Sequence, residues 1–376
     1  LRTFLSLFNN LVCNTTEQYV KGVSHLVIPR TVFARGICFF FGLPHTLLAS
    51  AFLALFVPDY TYWMSAARKS LQPRRKAGQP LPRPVPPPRI SKPWSLKSTG
   101  GLRVLQLEAF SRIPWLIHGF STAPGGISEL DGRKVLSLSF TDWDTRENVL
   151  ANRKKFQAAL GAEKFPLIAL KQIHSAVIWP FASAPKEPCK GDASLTETPG
   201  LLLGVQTADC VPILLVDPRK RAVAAVHAGW RGTLARITEK TVGELVAKFK
   251  SNPSHLLAAI GPSIGPCCYE VGAELVTQFK SQFADADEYF DEPRSGEEPN
   301  PLQWLNMMPP GHQPPPKNVH LDLPKANRSQ LLAAGLHEKN IFSSNLCTAC
   351  NPHLFFSYRK QGPRSGRLLS AIAIKK

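Results

Sequence analysis

A chain of 376 residues with 45 Lys+Arg against 27 Asp+Glu is long enough for one large domain with appendages. Its formal charge of +18 is uneven, since the first 100 residues hold 13 Lys+Arg and two Asp+Glu. This excess lies in a Pro-rich tail and not on a folded face with base-stacking aromatics, which argues against nucleic-acid binding.

Residues 36–57 contain no Lys, Arg, Asp or Glu and are long enough to span a bilayer. The basic residues Arg68, Lys69, Arg74, Arg75 and Lys76 follow, which would keep the C-terminal side in the cytoplasm if the segment is a genuine anchor. The other reading is an artefact of where translation was assumed to begin. Residues 1–78 are thus an apolar, basic extension, 79–100 a Pro-rich linker, and 101–376 the main domain.

Within that domain, strands are expected over 102–107 and 115–120, followed by a Gly-rich turn. Residues 148–160 have the apolar spacing of an amphipathic helix, in which Asn152 and Arg153 are adjacent. His174 ends a short apolar segment, 182–190 is a loop, and Asp192 follows in GlyAspAla.

The chain is organised around residues 204–232, GVQTADCVPILLVDPRKRAVAAVHAGWRG. Two apolar runs flank an Asp-Pro-Arg-Lys turn, the pattern of a β-hairpin with buried strands. Such a hairpin puts Cys210 and His227 at one open end, with Asp209 beside the cysteine. With His174 as a third ligand, they suit a zinc ion that keeps a position for water; a nucleophilic Cys210 with His227 as base is the other reading. A helix over 233–250 would aim its N-terminus at His227, and with Arg231 would favour an anion such as phosphate.

Further on, a strand is expected over 256–260, helices over 271–283 and 325–334, and an acidic, then Pro-rich mobile loop over 285–316. Short strands are expected over 319–323, 341–342 and 354–357, and 368–374 closes the chain as a buried strand. The eight cysteines, two of them adjacent at Cys267 and Cys268, make no disulfide framework and point to reduced thiols in a cytoplasmic compartment. Cys347 and Cys350 form a CysThrAlaCys pair, but no second CxxC exists to complete a four-cysteine metal site.

ThrAlaAspCysValPro (207–212), ValHisAlaGlyTrpArgGly (226–232), GlnIleHisSer (172–175), AlaIleGlyProSerIleGly (259–265) and PhePheSerTyrArg (355–359) resemble the signature blocks of the YfiH, or laccase-domain, family. That family is also called the multicopper polyphenol oxidoreductase or purine nucleoside phosphorylase family. The resemblance covers about residues 103–374 and implies an α+β fold, a mixed-sheet α/β sandwich like the catalytic domain of cytotoxic necrotizing factor toxins, in which a Cys-His pair is catalytic. It implies His174, Cys210 and His227 as zinc ligands and catalytic residues. Arg153, Asp192 and Arg359 also match its blocks and, with Arg231, are candidates for binding substrate or phosphate. Ala123 and Ser139 stand where the family usually has Arg and Asn.

The implied activity is phosphorolysis of adenosine, inosine and methylthioadenosine, with deamination of adenosine, so purine nucleosides and phosphate are the expected partners. A Cys-His amidohydrolase editing peptidoglycan precursors is the second reading. A copper oxidase fits poorly, because the chain has ten His and no His-x-His pair, although copper can occupy a site built for zinc. A non-enzymatic metal-binding scaffold is the remaining class. Oligomeric state is not readable.

Overall fold

Residue 90, residues 92–291 and residues 319–376 are described by a computed structural model. The expectations for 1–78, for the apolar segment 36–57, and for most of the 79–100 linker and the acidic, Pro-rich loop lie outside the described residues. Among the described residues, no helix is long and apolar enough to cross a membrane.

Strands β1 (Trp94–Thr99), β2 (Leu102–Leu107) and β3 (Leu116–Ser121) form an antiparallel meander, with helix α1 (Glu108–Ser111) between the last two. Gly100 and Gly101 both have positive φ, which a two-residue hairpin turn requires and glycine adopts without a Cβ penalty. The hairpin of β4 (Pro124–Leu130) and β5 (Arg133–Val135) leads to α2 (Arg146–Leu160). Thr145 caps this helix by accepting the Asn148 N–H, and Gly161 ends it in the left-handed conformation.

The short strands β6 (Leu167–Ala169), β7 (Ile178–Pro180), β8 (Ala193–Thr196) and β9 (Leu202–Thr207) precede the central hairpin of β10 (Val211–Asp217) and β11 (Ala222–Ala228). Then come α3 (Trp230–Leu234), α4 (Ile237–Phe249), β12 (Leu257–Ile260), β13 (Glu270–Val271), α5 (Glu274–Lys280) and β14 (Phe290–Asp291). The C-terminal part holds β15 (Val319–Leu321), α6 (Leu323–Ala333), β16 (Ile341–Ser343), α7 (Tyr358–Gln361) and β17 (Leu368–Ile374).

Two six-stranded sheets result, ordered β1-β2-β3-β17-β9-β6 and β16-β12-β10-β11-β8-β7. Both are mixed, because β6 runs parallel to β9, β7 to β8 and β12 to β16 among otherwise antiparallel pairs. The continuous apolar runs of β10 and β11 reflect burial of both faces. Leu214, Val216, Val223 and Ala225 face the first sheet and meet Leu203, Val205, Phe355 and Ile372. The alternate residues Ile213, Leu215, Ala224 and Val226 turn to Ile237, Val242 and Leu245 of α4 and to Ala326 and Leu331 of α6. Beyond the first sheet, Leu202, Leu369 and Ala371 pack with Phe156 of α2. The architecture is a helix–sheet–sheet–helix sandwich, the expected fold class.

Four local expectations are corrected. The stretch 79–100 is not linker throughout, because β1 lies inside it: Trp94 packs edge-on against Phe120 at 5.5 Å, and its Nε1 donates to Ser343 O at 3.1 Å, tying the edge of one sheet to the edge of the other. The helix expected over 233–250 is two helices, α3 and α4, separated at Arg236 with φ 59°. Residues 271–283 hold only the shorter α5. Residues 354–357 are not a strand, since the N–H groups of Leu354 and Phe355 fold back onto Asn351 O in a turn that buries Phe355 and Phe356 between the sheets.

Candidate metal and anion site

The β10–β11 register, with Pro212 opposite His227 and Val211 opposite Ala228, brings Cys210 and Gly229 together at the open end of the hairpin. At the closed end, Asp217 Oδ1 accepts the N–H groups of Arg219 and Lys220, which fixes the turn. His174 reaches this end from the loop after β6, at φ 56°, and the adjoining Asp209 sits at φ 95°. Two non-glycine residues in this region mark a locally strained backbone held by its surroundings. For Asp209 the restraints are the Thr348 hydroxyl on Oδ1 and the Arg359 N–H on Oδ2, both at 2.6 Å.

The ligand atoms of His174, Cys210 and His227 lie within 4.8 Å of one another, with Cys210 Sγ 3.8 Å from His174 Nε2. The two imidazoles stand edge to face at 5.0 Å. A tetrahedral zinc ion with bonds of about 2.0 Å to nitrogen and about 2.3 Å to sulfur needs such atoms roughly 3.3–3.5 Å apart. The donor set therefore fits a zinc-class ion after a small contraction. Gly229 is needed here: a Cβ on it would stand 2.8 Å from His174 Cδ2 and 3.1 Å from Cys210 Sγ.

Behind the set lies Asp192, fully buried. Its Oδ1 pairs with His227 Nδ1 at 2.9 Å, and its oxygens accept the N–H groups of Ile173, His174 and Ser175 and the Ser175 hydroxyl. With Nδ1 engaged, the other nitrogen of His227 is left for an ion or for the thiol, the carboxylate–histidine arrangement that orients metal ligands. Burial alone would raise the Asp192 carboxyl, but the hydrogen bonds from His227 and Ser175 outweigh it and hold the pKa at about 2. Burial likewise works against charge on Cys210 and His227. The His227 charge and the imidazole hydrogen bonds still bring the Cys210 thiol down to about 6, while Cys210 and Asp192 raise His227 to about 9. Both shifts favour the thiolate–imidazolium form of the pair when no metal is bound.

These residues open onto a cavity of ≈ 800 Å³ lined also by Arg153, Arg359, Arg367, Lys171, Tyr269, Tyr358 and Phe140. Arg153 donates Nε to Leu138 O and lies over the Phe140 ring at 4.8 Å. Arg359 lies over Tyr269 at 5.2 Å, and Arg367 over Tyr358 at 5.5 Å. Arg231 is elsewhere. It is exposed, rests on the Trp230 ring at 4.3 Å and lines a separate depression with Leu234 and Gln282, and the five-residue α3 does not supply the long helix terminus expected beside it.

Asn152 is not on a solvated face: buried, it bonds Ile127 N, Ser128 Oγ and Ser137 O and anchors α2 to the β4–β5 hairpin. Of the two family departures, Ser139 lines the cavity and Ala123 is buried outside its lining. Lys171 and Arg367 were missed, although Lys171 directly precedes the GlnIleHisSer block.

The sequence matches the family described as multi-copper polyphenol oxidoreductase laccase over residues 117–375. The chain belongs to this family. The human purine nucleoside phosphorylase LACC1 is 31% identical over 288 residues, 74% of this chain and 61% of that protein. The chain thus spans less than two thirds of that relative, and 56% of the mouse protein of the same name. Adenosine deaminase RL5, from an unknown prokaryotic organism, is 35% identical over 68% of this chain and 93% of its own length. Among solved structures, YlmD from Geobacillus stearothermophilus superposes with a TM-score of 0.62 at 30% identity, covering 75% of this chain and 99% of that one. The Bacillus licheniformis hypothetical protein YfiH gives 0.65 at 28% identity, with 76% and 100% covered. The family's name speaks of copper; the one-Cys, two-His set suits either ion by ligand type.

Proposed function

We propose that the chain is a purine nucleoside phosphorylase with adenosine deaminase activity, acting at a zinc site made by His174, Cys210 and His227. The observation that carries this reading is one cavity that joins a Cys-His-His donor set to the cationic side chains of Arg153, Arg359, Arg367 and Lys171. Those cations suit phosphate, because charge-assisted bonds to its oxygens are the strong ones. The rings of Phe140, Tyr269 and Tyr358 offer faces to a purine. The names of the relatives add support.

Zinc in this set would supply Lewis acidity to the reacting centre. The chain's own residues do the remaining work: Asp192 keeps His227 in the tautomer with Nδ1 engaged, Asp209 holds the backbone N–H of Arg359, and the cations orient the anion. This amounts to positioning two reactants in a shared pocket.

The chain of contacts from Asp192 through His227 to Cys210 also favours a second reading, a Cys-His hydrolase with Cys210 as nucleophile. Turnover of adenosine and inosine with and without phosphate separates the two. Phosphate-dependent release of base supports the phosphorylase. Cleavage of amides without phosphate, with covalent labelling of Cys210 by a thiol-reactive substrate analogue, supports the hydrolase.

A further inference from the structure

We propose that Cys267, Cys268, Cys347 and Cys350 form a second metal site, a tetrahedral four-thiolate zinc centre that braces the wall of the cavity. The sequence offers no second CxxC, but the fold completes the CysThrAlaCys pair with the two adjacent cysteines from the loop after β12. All four sulfurs lie within 4.8 Å of one another, with Cys350 Sγ 3.5 Å from Cys267 Sγ and 3.4 Å from Cys268 Sγ. Zinc–thiolate bonds of about 2.3 Å set the corners of a tetrahedron about 3.8 Å apart, a spacing that lies between the two short separations and the 4.8 Å limit of the group. A disulfide would select one pair at about 2.05 Å, and here Cys350 is nearly equidistant from two partners.

The backbone around the sulfurs has the form of a thiolate site. Gly265 N–H donates to Cys347 Sγ at 3.3 Å, and the N–H of Cys350 is directed at the same sulfur. Such N–H···S bonds orient a ligand and offset its charge. A tight turn, in which Cys268 N and Tyr269 N both donate to Gly265 O, swings the vicinal cysteines to the same point. A parallel bridge between Ser263 and Cys347 aligns the two loops. Among the described residues, the apolar cluster around the cysteines is small and holds Ile264, Ala349 and Tyr269. Four soft donors in tetrahedral array select zinc or iron, and this assignment is to zinc.

The centre shares no residue with the His174–Cys210–His227 set, yet it acts on the same wall. Its two loops deliver Ile264, whose N–H donates to Asp209 O at 2.8 Å, and Thr348, whose hydroxyl donates to Asp209 Oδ1. Asp209 immediately precedes Cys210. Loss of the ion should loosen the strained Asp209 and the cavity lining without removing any group that touches substrate.

The test is elemental analysis of the full chain purified under reducing conditions without chelator. The expected result is that the Cys267→Ser/Cys350→Ser double variant holds one zinc per chain less than the parent, whatever the content of the other site. Cys210→Ala should leave this ion in place. Since the double variant can fail to fold, a second measurement uses the Cys210→Ala chain alone: stepwise titration with a mercurial in the presence of a chromogenic zinc chelator. Release of one zinc in step with the four thiols supports the site. Unchanged zinc in the double variant, reaction of every thiol without release of zinc, a mass deficit of two hydrogens from a disulfide, or iron in place of zinc would each overturn the assignment.

Discussion

Asp192 Oδ1 pairs with His227 Nδ1 at 2.9 Å and also accepts the backbone N–H of His174 at 3.0 Å, so a single buried carboxylate positions both imidazoles of the site. The first imidazole is held by its ring and the second through the backbone that carries it.

An Asp192→Asn chain should therefore lose the site as well as stability. An amide has one oxygen, and its NH2 group would face the N–H donors of residues 173–175. The expected cost is roughly 3 kcal/mol in denaturant unfolding, as for breaking a buried ionic network, with zinc affinity lower by roughly 10- to 100-fold. Ser175→Ala removes one hydroxyl bond and should cost about 1 kcal/mol. The sign with pH is fixed, because the carboxyl is lowered from 3.8 to about 2 on folding: its stabilisation is present above 3.8 and disappears as pH falls through about 2. The stability gap between wild type and Asp192→Asn should narrow over that window. A gap independent of pH would remove Asp192 as a stabilising carboxylate.

Gly229→Ala tests the geometry without touching a ligand. The residue has φ −77°, which alanine adopts freely, but its Cβ would enter the space of His174 and Cys210. Zinc affinity and turnover should fall by at least about tenfold, with the melting temperature of the metal-free protein nearly unchanged. Gly243→Ala is the control: it lies in α4 with open space at the Cβ position, and should stabilise the helix by about 1 kcal/mol without effect on zinc.

The hairpin with His174, Cys210 and His227 was legible because a hairpin has few ways to place its two ends, and burial of both strand faces leaves apolar runs that are hard to misread. Asp192 was legible as a candidate but not as a hub, since four donors from one loop and a fifth from the far strand end converge on it. Arg231 was expected beside the histidine, whereas it is exposed, rests on the Trp230 ring and is not part of the cavity lining. The four-cysteine cluster was invisible because its halves are separated by 79 to 83 residues and meet through the pairing of β12 with β16 and the bridge between Ser263 and Cys347. Three-residue strands such as β6 and β7 carry too little pattern to be found without their neighbours.

Cation removal should separate the two arginine sets. Charge-assisted bonds contribute about 1.5–3 kcal/mol, so Arg153→Gln or Arg359→Gln should raise the phosphate concentration for half-maximal rate by roughly 10- to 150-fold. Arg231→Ala, outside the cavity, should leave it unchanged. Steady-state kinetics with varied phosphate decides, and a large effect of Arg231→Ala alone would return the anion to the depression beside Trp230.

In metal-free protein, alkylation of Cys210 by iodoacetamide should persist at pH 7 and fall as pH drops through about 6, because the thiol is lowered from 9.0 to about 6 by the two imidazoles against its burial. His227, raised from 6.5 to about 9, stabilises the folded state fully below 6.5 and ceases to do so as pH rises through about 9. The thiolate–imidazolium pair is therefore expected in the window between the two values, about 6 and about 9. Zinc should suppress the alkylation throughout, and a rate that titrates near the ordinary thiol value would contradict the pairing.

The last prediction concerns where the folded domain begins. A chain starting at Val85 retains β1, whereas one starting at Gly101 loses the strand paired along the whole of β2. It also loses Trp94, whose ring packs on Phe120 and whose Nε1–H reaches Ser343 O in the opposite sheet. Removing such an aromatic costs about 3–5 kcal/mol through lost burial and the cavity left behind. With β1 absent, β2 becomes an edge strand with unpaired N–H and C=O groups. The Val85 chain should therefore be folded and active, and the Gly101 chain destabilised and prone to self-association. Trp94→Ala in the longer chain should reproduce most of the loss of stability while keeping β1 paired. Equal unfolding midpoints for the chains starting at Val85 and Gly101 would mean that β1 contributes nothing to the fold.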